Sequence, residues 1–196
     1  MTFPNHQIIF NAKTFSNDKK TFFEKLDKSK KGEIDAKIIP LLNLLNQKKE
    51  HYTTSSCSGR VYLWKGTGKK NETEWLKVSH DFINKDFFSI SSLAAAEKGL
   101  VWLRLEPLIA HVACKDLDSA NKLLAVVRKL YKKSCLLSLS SKIIVEIRGS
   151  EFLEMPLYQD GKLLFSAEID LVQLVNKKLT LIFNGLQKLT ASLENF

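Results

Sequence analysis

The densest run of chemically useful side chains in this sequence covers residues 53–60, Thr-Thr-Ser-Ser-Cys-Ser-Gly-Arg. Hydroxyl and backbone N–H groups can bind a carboxylate or a phosphate, and an arginine can grip either anion with two hydrogen bonds. A glycine lets the backbone approach a ligand closely. The run therefore predicts a cofactor-binding or anion-binding site formed by Ser55, Ser56, Cys57, Ser58, Gly59 and Arg60. Composition also leaves open a polar loop that holds a small buried thiol.

Cys57 is the strongest nucleophile of this run by residue type. Covalent catalysis requires a base held beside the thiol, and the sequence assigns no fixed histidine or aspartate partner to Cys57. We therefore expect this residue to take part in binding rather than in a covalent step.

His80 is the first of three candidates for catalytic proton transfer. It follows a strand-like run, residues 74–79, and side chains just past strand ends commonly point into sites. Histidine titrates near neutrality and can accept or relay a proton. The alternative is that Asp81 caps the following segment and His80 is an ordinary surface residue.

Glu106 and His111 are the other two catalytic candidates. They lie in an otherwise apolar pair of predicted strands, residues 100–105 and 108–114. Because an unpaired buried charge is costly, the two residues either form a hydrogen-bonded pair or belong to a site. A glutamate is a poor choice for packing alone, which favours the site.

Common signatures of nucleotide and hydrolase sites are absent from the sequence. It contains no G-x-G-x-x-G, no G-x-x-x-x-G-K-[ST], no H-E-x-x-H and no G-x-S-x-G motif. Three cysteines without C-x-x-C spacing argue against a disulfide framework and a zinc site, so no metal is expected.

Bulk properties predict a globular, cytoplasmic protein with no membrane association. Apolar residues make up 44% of the chain, and no apolar run approaches the ~20 residues of a membrane span. The N-terminus does not resemble a signal peptide. A net charge of +9 permits binding to nucleic acid, although solubility alone would also explain it. The oligomeric state is left open.

Periodicity places these residues among helices and strands. It predicts a helix over residues 16–26 capped by Ser16, a second capped by Asp35 with Pro40 near its start, and a third capped by Asp118. Strand patterns cover residues 61–64, 74–79, 100–105, 108–114, 142–147, 152–157 and 162–165, and residues 65–72 predict a turn-rich loop.

The tail has the most regular pattern of the chain. Its apolar residues alternate steps of three and four, which predicts a long C-terminal helix that packs across the domain's own sheet rather than in a coiled-coil dimer. These residues are Val172, Val175, Leu179, Ile182, Leu186, Leu189, Leu193 and Phe196.

The mixture of helices and strands lacks a steady βαβ alternation. This favours an α+β fold with mixed sheets and packed helices over a Rossmann fold. Residues 1–196 are expected to form a single domain. Two serine-rich stretches, residues 55–58 and 138–141, each precede a strand, which raises the hypothesis of two related halves.

The sequence resembles the wybutosine-synthesising protein 3 family. The hallmark T-x-S-S-C-S-G-R segment is present at residues 53–60. Three further blocks match in order and spacing, at residues 26–35, 75–81 and 105–112, and residues 143–148 and 153–157 are also similar. The resemblance covers about residues 15–190.

This resemblance implies a tRNA-modifying enzyme of wybutosine biosynthesis that does not have the Rossmann fold. The family transfers a methyl group from S-adenosyl-L-methionine to N-4 of the wyosine precursor beside the anticodon of phenylalanine tRNA. His80, Glu106 or His111 would then manage the proton of the accepting nitrogen. The serines and Arg60 would bind the methionyl carboxylate or an RNA phosphate, and Trp64 or Trp75 would stack on the base unless it packs in the core.

Two departures from the family pattern keep other functions open. Cys135 stands where the family usually has a glycine, and the E-P-F-I-L-H-V pattern is E-P-L-I-A-H-V here. A methyltransferase of the same fold that acts on another modified guanosine or RNA is one alternative. A non-catalytic tRNA-binding module is another, and a homodimeric structural protein built on the C-terminal helix is a third.

Overall fold

The computed structural model describes residues 12–26, 34–66, 72–89, 98–164, 170–194 and 196. The helices are α1 (Ala12–Leu26), α2 (Ile39–Gln47), α3 (Leu117–Val127) and α4 (Leu171–Glu194), and short 3-10 helices cover Ala36–Ile38 and Lys85–Phe88. The strands are β1 (His51–Cys57), β2 (Arg60–Lys65), β3 (Glu74–Ser79), β4 (Leu100–Glu106), β5 (Ile109–Cys114), β6 (Cys135–Leu139), β7 (Ile143–Arg148), β8 (Leu153–Gln159) and β9 (Lys162–Leu163).

The strands form two antiparallel sheets, which confirms the predicted α+β fold. Sheet 1 has the order β1-β5-β7-β6, and sheet 2 has the order β3-β2-β4-β8-β9. Among the described residues, no helix combines the length and the apolar character needed to cross a membrane.

Two paired strands pass together from one sheet to the other. The chain runs from β1 to β2 through Ser58 and Gly59, and from β4 to β5 through Pro107 and Leu108. β1 pairs with β5 in sheet 1, and β2 pairs with β4 in sheet 2. We call this crossing the bend, because it joins the two sheets through one continuous ribbon.

Helix α4 lies across both sheets. Its C-terminal half packs in the core of sheet 1 through Leu186, Leu189 and Leu193, and its N-terminal half packs in the core of sheet 2 through Val175, Leu179, Ile182 and Phe183. The predicted packing of the tail helix on the domain's own sheets is thus confirmed. We call the face of each sheet turned away from α4 its outer face.

Several local predictions require correction. Ser16 is not an N-cap, because α1 is already helical from Ala12. Asp116 rather than Asp118 caps α3, accepting from the Ser119 backbone N–H at 2.8 Å. Pro40 does lie in the first turn of α2, where it costs no hydrogen bond.

The two serine-rich stretches do not occupy equivalent positions. Residues 55–58 lead from sheet 1 into sheet 2, whereas residues 138–141 close the β6–β7 hairpin inside sheet 1. The basic residues 28–31 and most of the loop 65–72 lie outside the described residues.

Gly59 is the tightest point of the bend. Its φ of +110° suits glycine, and an added Cβ would lie 2.8 Å from Ile182 Cγ2 of α4 and 3.2 Å from the Glu106 carbonyl oxygen. The ribbon can therefore cross under α4 only because this residue has no side chain.

We predict that Gly59→Ala lowers the free energy of unfolding by roughly 2–4 kcal/mol, because overpacking adds to the strain of a positive φ. Gly99 is a matched control, since its φ is +97° and an added Cβ meets nothing within 4 Å. Gly99→Ala should cost about 1 kcal/mol. Urea unfolding monitored by tryptophan fluorescence measures both, and equal losses would contradict the steric account.

Candidate functional site at the bend

Most of the serine-rich run is a strand and not the polar loop that its composition left open. Residues 51–57 form β1, the edge strand of sheet 1, with a bulge between Thr53 and Ser55. The bulge determines which face each later residue of β1 occupies. Ser55 and Cys57 lie opposite His111 and Ile109 on the outer face, whereas Ser56 lies opposite Ala110 on the core side.

Arg60 and Glu106 face each other across β2 and β4, at the end of sheet 2 that adjoins the bend. Arg60 Nε donates to Glu106 Oε2 at 2.9 Å, and its Nη2 lies 2.8 Å from the same oxygen. The Tyr62 hydroxyl donates to the other carboxylate oxygen, Oε1, at 2.8 Å. Fixed donors therefore hold both oxygens of Glu106 in place.

Tyr62 remains a hydrogen-bond donor at neutral pH. Burial of its ring, followed by the hydrogen bond to Glu106, raises the pKa of Tyr62 to about 12. Its hydroxyl oxygen also accepts from Arg104 Nη1 at 3.2 Å. Arg104 in turn pairs with Glu154 at 2.5 Å, which continues the polar contacts along the outer face of sheet 2.

An aromatic ring lies beside the Arg60–Glu106 pair. Trp75 of β3 stacks on Tyr62 with ring centres 4.9 Å apart, and the Arg60 guanidinium lies 4.4 Å from the centre of the Trp75 ring. Tyr62 is buried, but Trp75 is 46% exposed. The site therefore presents a flat aromatic surface next to an arginine and a carboxylate. Trp64, by contrast, is buried.

Four side chains form a row across the outer face of sheet 1. Ser55, His111, Glu146 and Cys135 are successive cross-strand partners on β1, β5, β7 and β6. Ser55 Oγ lies 2.8 Å from His111 Nδ1, and His111 Nε2 lies 3.1 Å from Glu146 Oε2. Because an ionised carboxylate only accepts, a neutral His111 carries its proton on Nε2 and accepts from Ser55 at Nδ1.

Glu106 and His111 do not pair with each other. Glu106 binds Arg60 and Tyr62 in sheet 2, and His111 binds Ser55 and Glu146 in sheet 1. The sequence left two alternatives, a hydrogen-bonded pair of Glu106 with His111 or separate roles in a site, and the pair is wrong. Each residue has its own set of partners, on opposite sides of the bend.

Ser58 and Gly59 support the bend itself. Ser58 is fully buried, and its backbone N–H and hydroxyl donate to Asp35 Oδ2 at 2.9 and 3.2 Å. The space beside Gly59 is taken by Ile182 and the Glu106 carbonyl. The close approach for which a glycine is needed here is therefore to the protein's own helix.

His80 and Cys57 meet beside Asp35. His80 Nδ1 lies 3.3 Å from Asp35 Oδ1. A carboxylate oxygen of Asp35, the sulfur of Cys57 and an imidazole nitrogen of His80 all lie within 4.8 Å of one another. Asp81 contacts Lys37, and the next 3-10 helix is capped by Asn84. The structure thus brings all three catalytic candidates to the bend, each within a different cluster.

The Cys57 thiol lies where the clusters meet. Burial raises the pKa of Cys57, and the Asp35 carboxylate acts in the same direction, while the charges of Arg60 and Glu106 also reach this thiol. A thiol with a raised pKa is protonated at neutral pH and is a poor nucleophile. This agrees with the expectation that Cys57 performs no covalent step.

Sequence reasoning missed three residues of these clusters: Asp35, Tyr62 and Glu146. Glu146 carried a signal, because it is a lone carboxylate in the apolar strand Ile-Ile-Val-Glu-Ile-Arg, the same pattern that singled out Glu106. Asp35 was interpreted as a helix cap, yet its side chain makes no cap hydrogen bond and binds Ser58 instead.

Comparison with known proteins identifies the family. The sequence profile described as Methyltransferase TYW3 matches residues 17–195. The chain belongs to this family. Membership in the methyltransferase TYW3 family makes it a methyltransferase, as the resemblance predicted.

Curated relatives extend along most of the chain. A "tRNA wybutosine-synthesizing protein 3 homolog" of Xenopus laevis is 36% identical over 174 residues, which are 84% of this chain and 68% of the relative. A Thermococcus sibiricus protein is 32% identical over 189 residues, or 93% and 95% of the two chains. It is named "tRNA(Phe) 7-((3-amino-3-carboxypropyl)-4-demethylwyosine(37)-N(4))-methyltransferase".

Solved structures have the same fold as this methyltransferase TYW3 family member. A Pyrococcus horikoshii protein, 29% identical, superposes with a TM-score of 0.86 over 94% of this chain and 98% of its own. An Aeropyrum pernix protein, 22% identical, has a TM-score of 0.71 over 82% and 98% of the two chains, a likeness of fold.

We predict that iodoacetamide alkylates Cys57 more slowly than it alkylates glutathione between pH 7 and 8.5. The raised pKa lowers the thiolate fraction at each pH, and partial burial restricts access. Mass spectrometry of the Cys57 peptide measures the rate, with the Cys57→Ser variant confirming the peptide assignment. A rate above that of glutathione, or one that levels off below pH 8, would contradict the protonated thiol.

Proposed function

We propose that this chain methylates N-4 of the wyosine-type base beside the anticodon of phenylalanine tRNA. Family membership and the substrate in the name of the Thermococcus sibiricus relative support this reaction. The observation that carries the proposal is the convergence at the bend of groups from separate parts of the sequence: the Arg60–Glu106 pair, the Ser55–His111–Glu146 row and the half-exposed Trp75.

S-adenosyl-L-methionine is the proposed methyl donor, and when bound it supplies a methyl group already activated on a sulfonium. The bend has groups that match its charged amino-acid end. Arg60 uses Nε and Nη2 for Glu106, and Nη1 makes no hydrogen bond to the described residues. We propose that Nη1 binds the methionyl carboxylate, while the single hydrogen of the Ser55 hydroxyl stays engaged with His111.

Cys57 completes this binding surface from the outer face, while Ser58 and Gly59 shape it from within. Neither of the last two offers an exposed side chain, because Ser58 is buried against Asp35 and Gly59 against α4. Ser56 projects to the core side. Their proposed contribution to cofactor binding is therefore to fix the backbone between Cys57 and Arg60.

His111 is the proposed acceptor of the proton that N-4 loses. Ser55 Oγ takes the proton from N-4 while the Ser55 hydroxyl proton passes to His111 Nδ1. Glu146 then stabilises the imidazolium through its contact with His111 Nε2. Glu106 has fixed donors on both oxygens, so we assign it to positioning Arg60 and Tyr62. His80 lies in the Asp35 cluster, where it borders the site through Cys57.

Trp75 is proposed to stack on the tricyclic base. The ring is supported on one side by Tyr62 and Arg60, and nearly half of its surface is open to solvent. Stacking on an aromatic side chain suits a base of any hydrogen-bonding pattern, because every base has a π face.

A methyltransferase acting on another modified guanosine is the second candidate. Cys135 favours it, because the side chain at this position ends the Ser55–His111–Glu146 row, where the family pattern expects a glycine. Methyl transfer to a tRNA other than that of phenylalanine would select this candidate. Binding of tRNA without any methyl transfer would select the non-catalytic module instead.

We predict that His111→Ala lowers kcat by roughly 10²–10⁴-fold, the usual contribution of a general base. Arg60→Lys keeps the charge but loses the planar fork, and should raise KM for the donor by roughly 10-fold or more. The assay is methyl transfer from labelled S-adenosyl-L-methionine to phenylalanine tRNA isolated from cells that lack this activity.

Lys188→Ala is the control for this assay, because it removes one positive charge from an exposed position on α4. Lys188→Ala should leave kcat and the KM for the methyl donor unchanged. Full activity of His111→Ala would contradict the proposed proton path. If the native chain binds S-adenosyl-L-methionine but transfers no methyl group to phenylalanine tRNA, the proposed substrate is wrong.

We also predict that Trp75→Ala weakens tRNA binding by about 1–3 kcal/mol, a range measured for base–aromatic stacking, whereas Trp75→Phe retains most of the affinity. Phe82 is the matched control, since it is 55% exposed but packs against Phe183 of α4. Filter binding of the unmethylated tRNA measures the dissociation constants. Equal losses in Trp75→Ala and Phe82→Ala would contradict a specific stacking position.

A further inference from the structure

Three side chains with different donor atoms meet at the edge of the bend. Asp35 comes from the segment before α2, Cys57 ends β1 and His80 follows β3. A carboxylate oxygen, the sulfur and an imidazole nitrogen of these residues all lie within 4.8 Å of one another. Because the three residues come from separate segments, no short sequence spacing could have indicated the cluster.

The geometry is close to that of a tetrahedral metal centre. Zinc bonds of about 2.0 Å to oxygen or nitrogen and about 2.3 Å to sulfur place neighbouring ligand atoms about 3.3–3.8 Å apart. Asp35 Oδ1 and His80 Nδ1 already lie 3.3 Å apart. The sulfur lies within 4.8 Å of both atoms. A tetrahedral centre places sulfur about 3.5 Å from nitrogen or oxygen, so the sulfur needs to move by no more than about 1.3 Å, which is within the reach of a side-chain adjustment.

The cluster also has the outer hydrogen bonds that usually orient metal ligands. Ser58 donates its backbone N–H and its hydroxyl to Asp35 Oδ2 at 2.9 and 3.2 Å. This leaves Oδ1 turned toward His80. Ser58 is fully buried, so the orientation of the carboxylate is fixed by the fold.

We propose that Asp35, Cys57 and His80 form a binding site for a divalent transition-metal ion of the zinc and cobalt class. Mixed sulfur, nitrogen and oxygen donors suit these ions, whereas magnesium and calcium take oxygen ligands. Binding of the ion displaces the Cys57 thiol proton to solvent, and the resulting thiolate and the Asp35 carboxylate balance the charge of the ion. Three protein ligands leave a fourth position, and the His80 side chain is 37% exposed, so water or a small ligand reaches the site.

The site overlaps the proposed cofactor-binding surface at Cys57, but it does not use the groups that carry the proposed methyl transfer. Its ligands border the outer face through Cys57, but the Ser55–His111–Glu146 row and the Arg60–Glu106 pair use other side chains. Metal binding can therefore be measured on the purified chain without tRNA or methyl donor, and failure of one proposal leaves the other standing.

The test is titration of the reduced, chelator-treated full chain with Co²⁺ alone, followed by absorption spectroscopy. One equivalent should produce a sulfur-to-cobalt charge-transfer band together with the intense visible bands of tetrahedral cobalt, and added Zn²⁺ should remove both. Cys57→Ser should abolish the charge-transfer band. Asp35→Asn and His80→Ala should each weaken binding by about tenfold or more.

Cys135→Ser is the matched control, because it removes another partly exposed thiol that lies in the sheet 1 row. It should retain the full cobalt spectrum. Circular dichroism and urea unfolding check that each variant is folded, and Asp35→Asn keeps an oxygen that can still accept from Ser58. Absence of a charge-transfer band in the native chain, or a band that survives Cys57→Ser, would overturn the proposal.

Discussion

The close contact between Gly59 and Ile182 is the constraint on which the rest of the structure depends. It lets two paired strands cross together from sheet 1 to sheet 2 directly under α4. The crossing puts the Arg60–Glu106 pair beside the bend in sheet 2 and the Ser55–His111 pair near it in sheet 1. A helix that packs on the cores of both sheets therefore also holds their outer faces in a fixed relation, although it touches neither outer face.

The outer face around the bend is charge-balanced in a chain whose net charge is +9. Arg60 is matched by Glu106 and Arg104 by Glu154, so the site itself offers little net attraction to a polyanion. Paired charges of this kind suit a ligand that carries both an ammonium and a carboxylate, because the ammonium can bind the glutamate of a pair while the carboxylate binds the arginine. Attraction of RNA phosphates then depends on lysines and arginines elsewhere on the surface.

Local patterns were sufficient for elements whose apolar residues face a core. α4 was predicted within a few residues, because its apolar residues recur with a regular period and pack in both cores. β3 was predicted with its observed bounds, although its Trp75 and Val78 side chains are exposed. β1 was missed because a hydroxyl-rich strand looks like a turn by composition. β6 was missed because a short apolar run does not distinguish a strand from a helix. Local patterns also found part of the site. Glu106 and His111 stood out against apolar neighbours, but Asp35 acquires its partners, Ser58 and His80, only through tertiary contacts.

Cys135 lies between the row on sheet 1 and two exposed lysines of the preceding turn. It begins β6 and lies opposite Glu146, so its side chain occupies a place that a glycine would leave open at the end of the Ser55–His111–Glu146 row. The turn that leads into it carries the exposed lysines Lys132 and Lys133. For the proposed methyl transfer, the bulk of Cys135 would limit which base modification fits against Glu146. This departure from the family pattern thus falls where substrate choice between related guanosines would be decided, whereas the E-P-L-I-A-H-V departure changes only apolar residues at the bend.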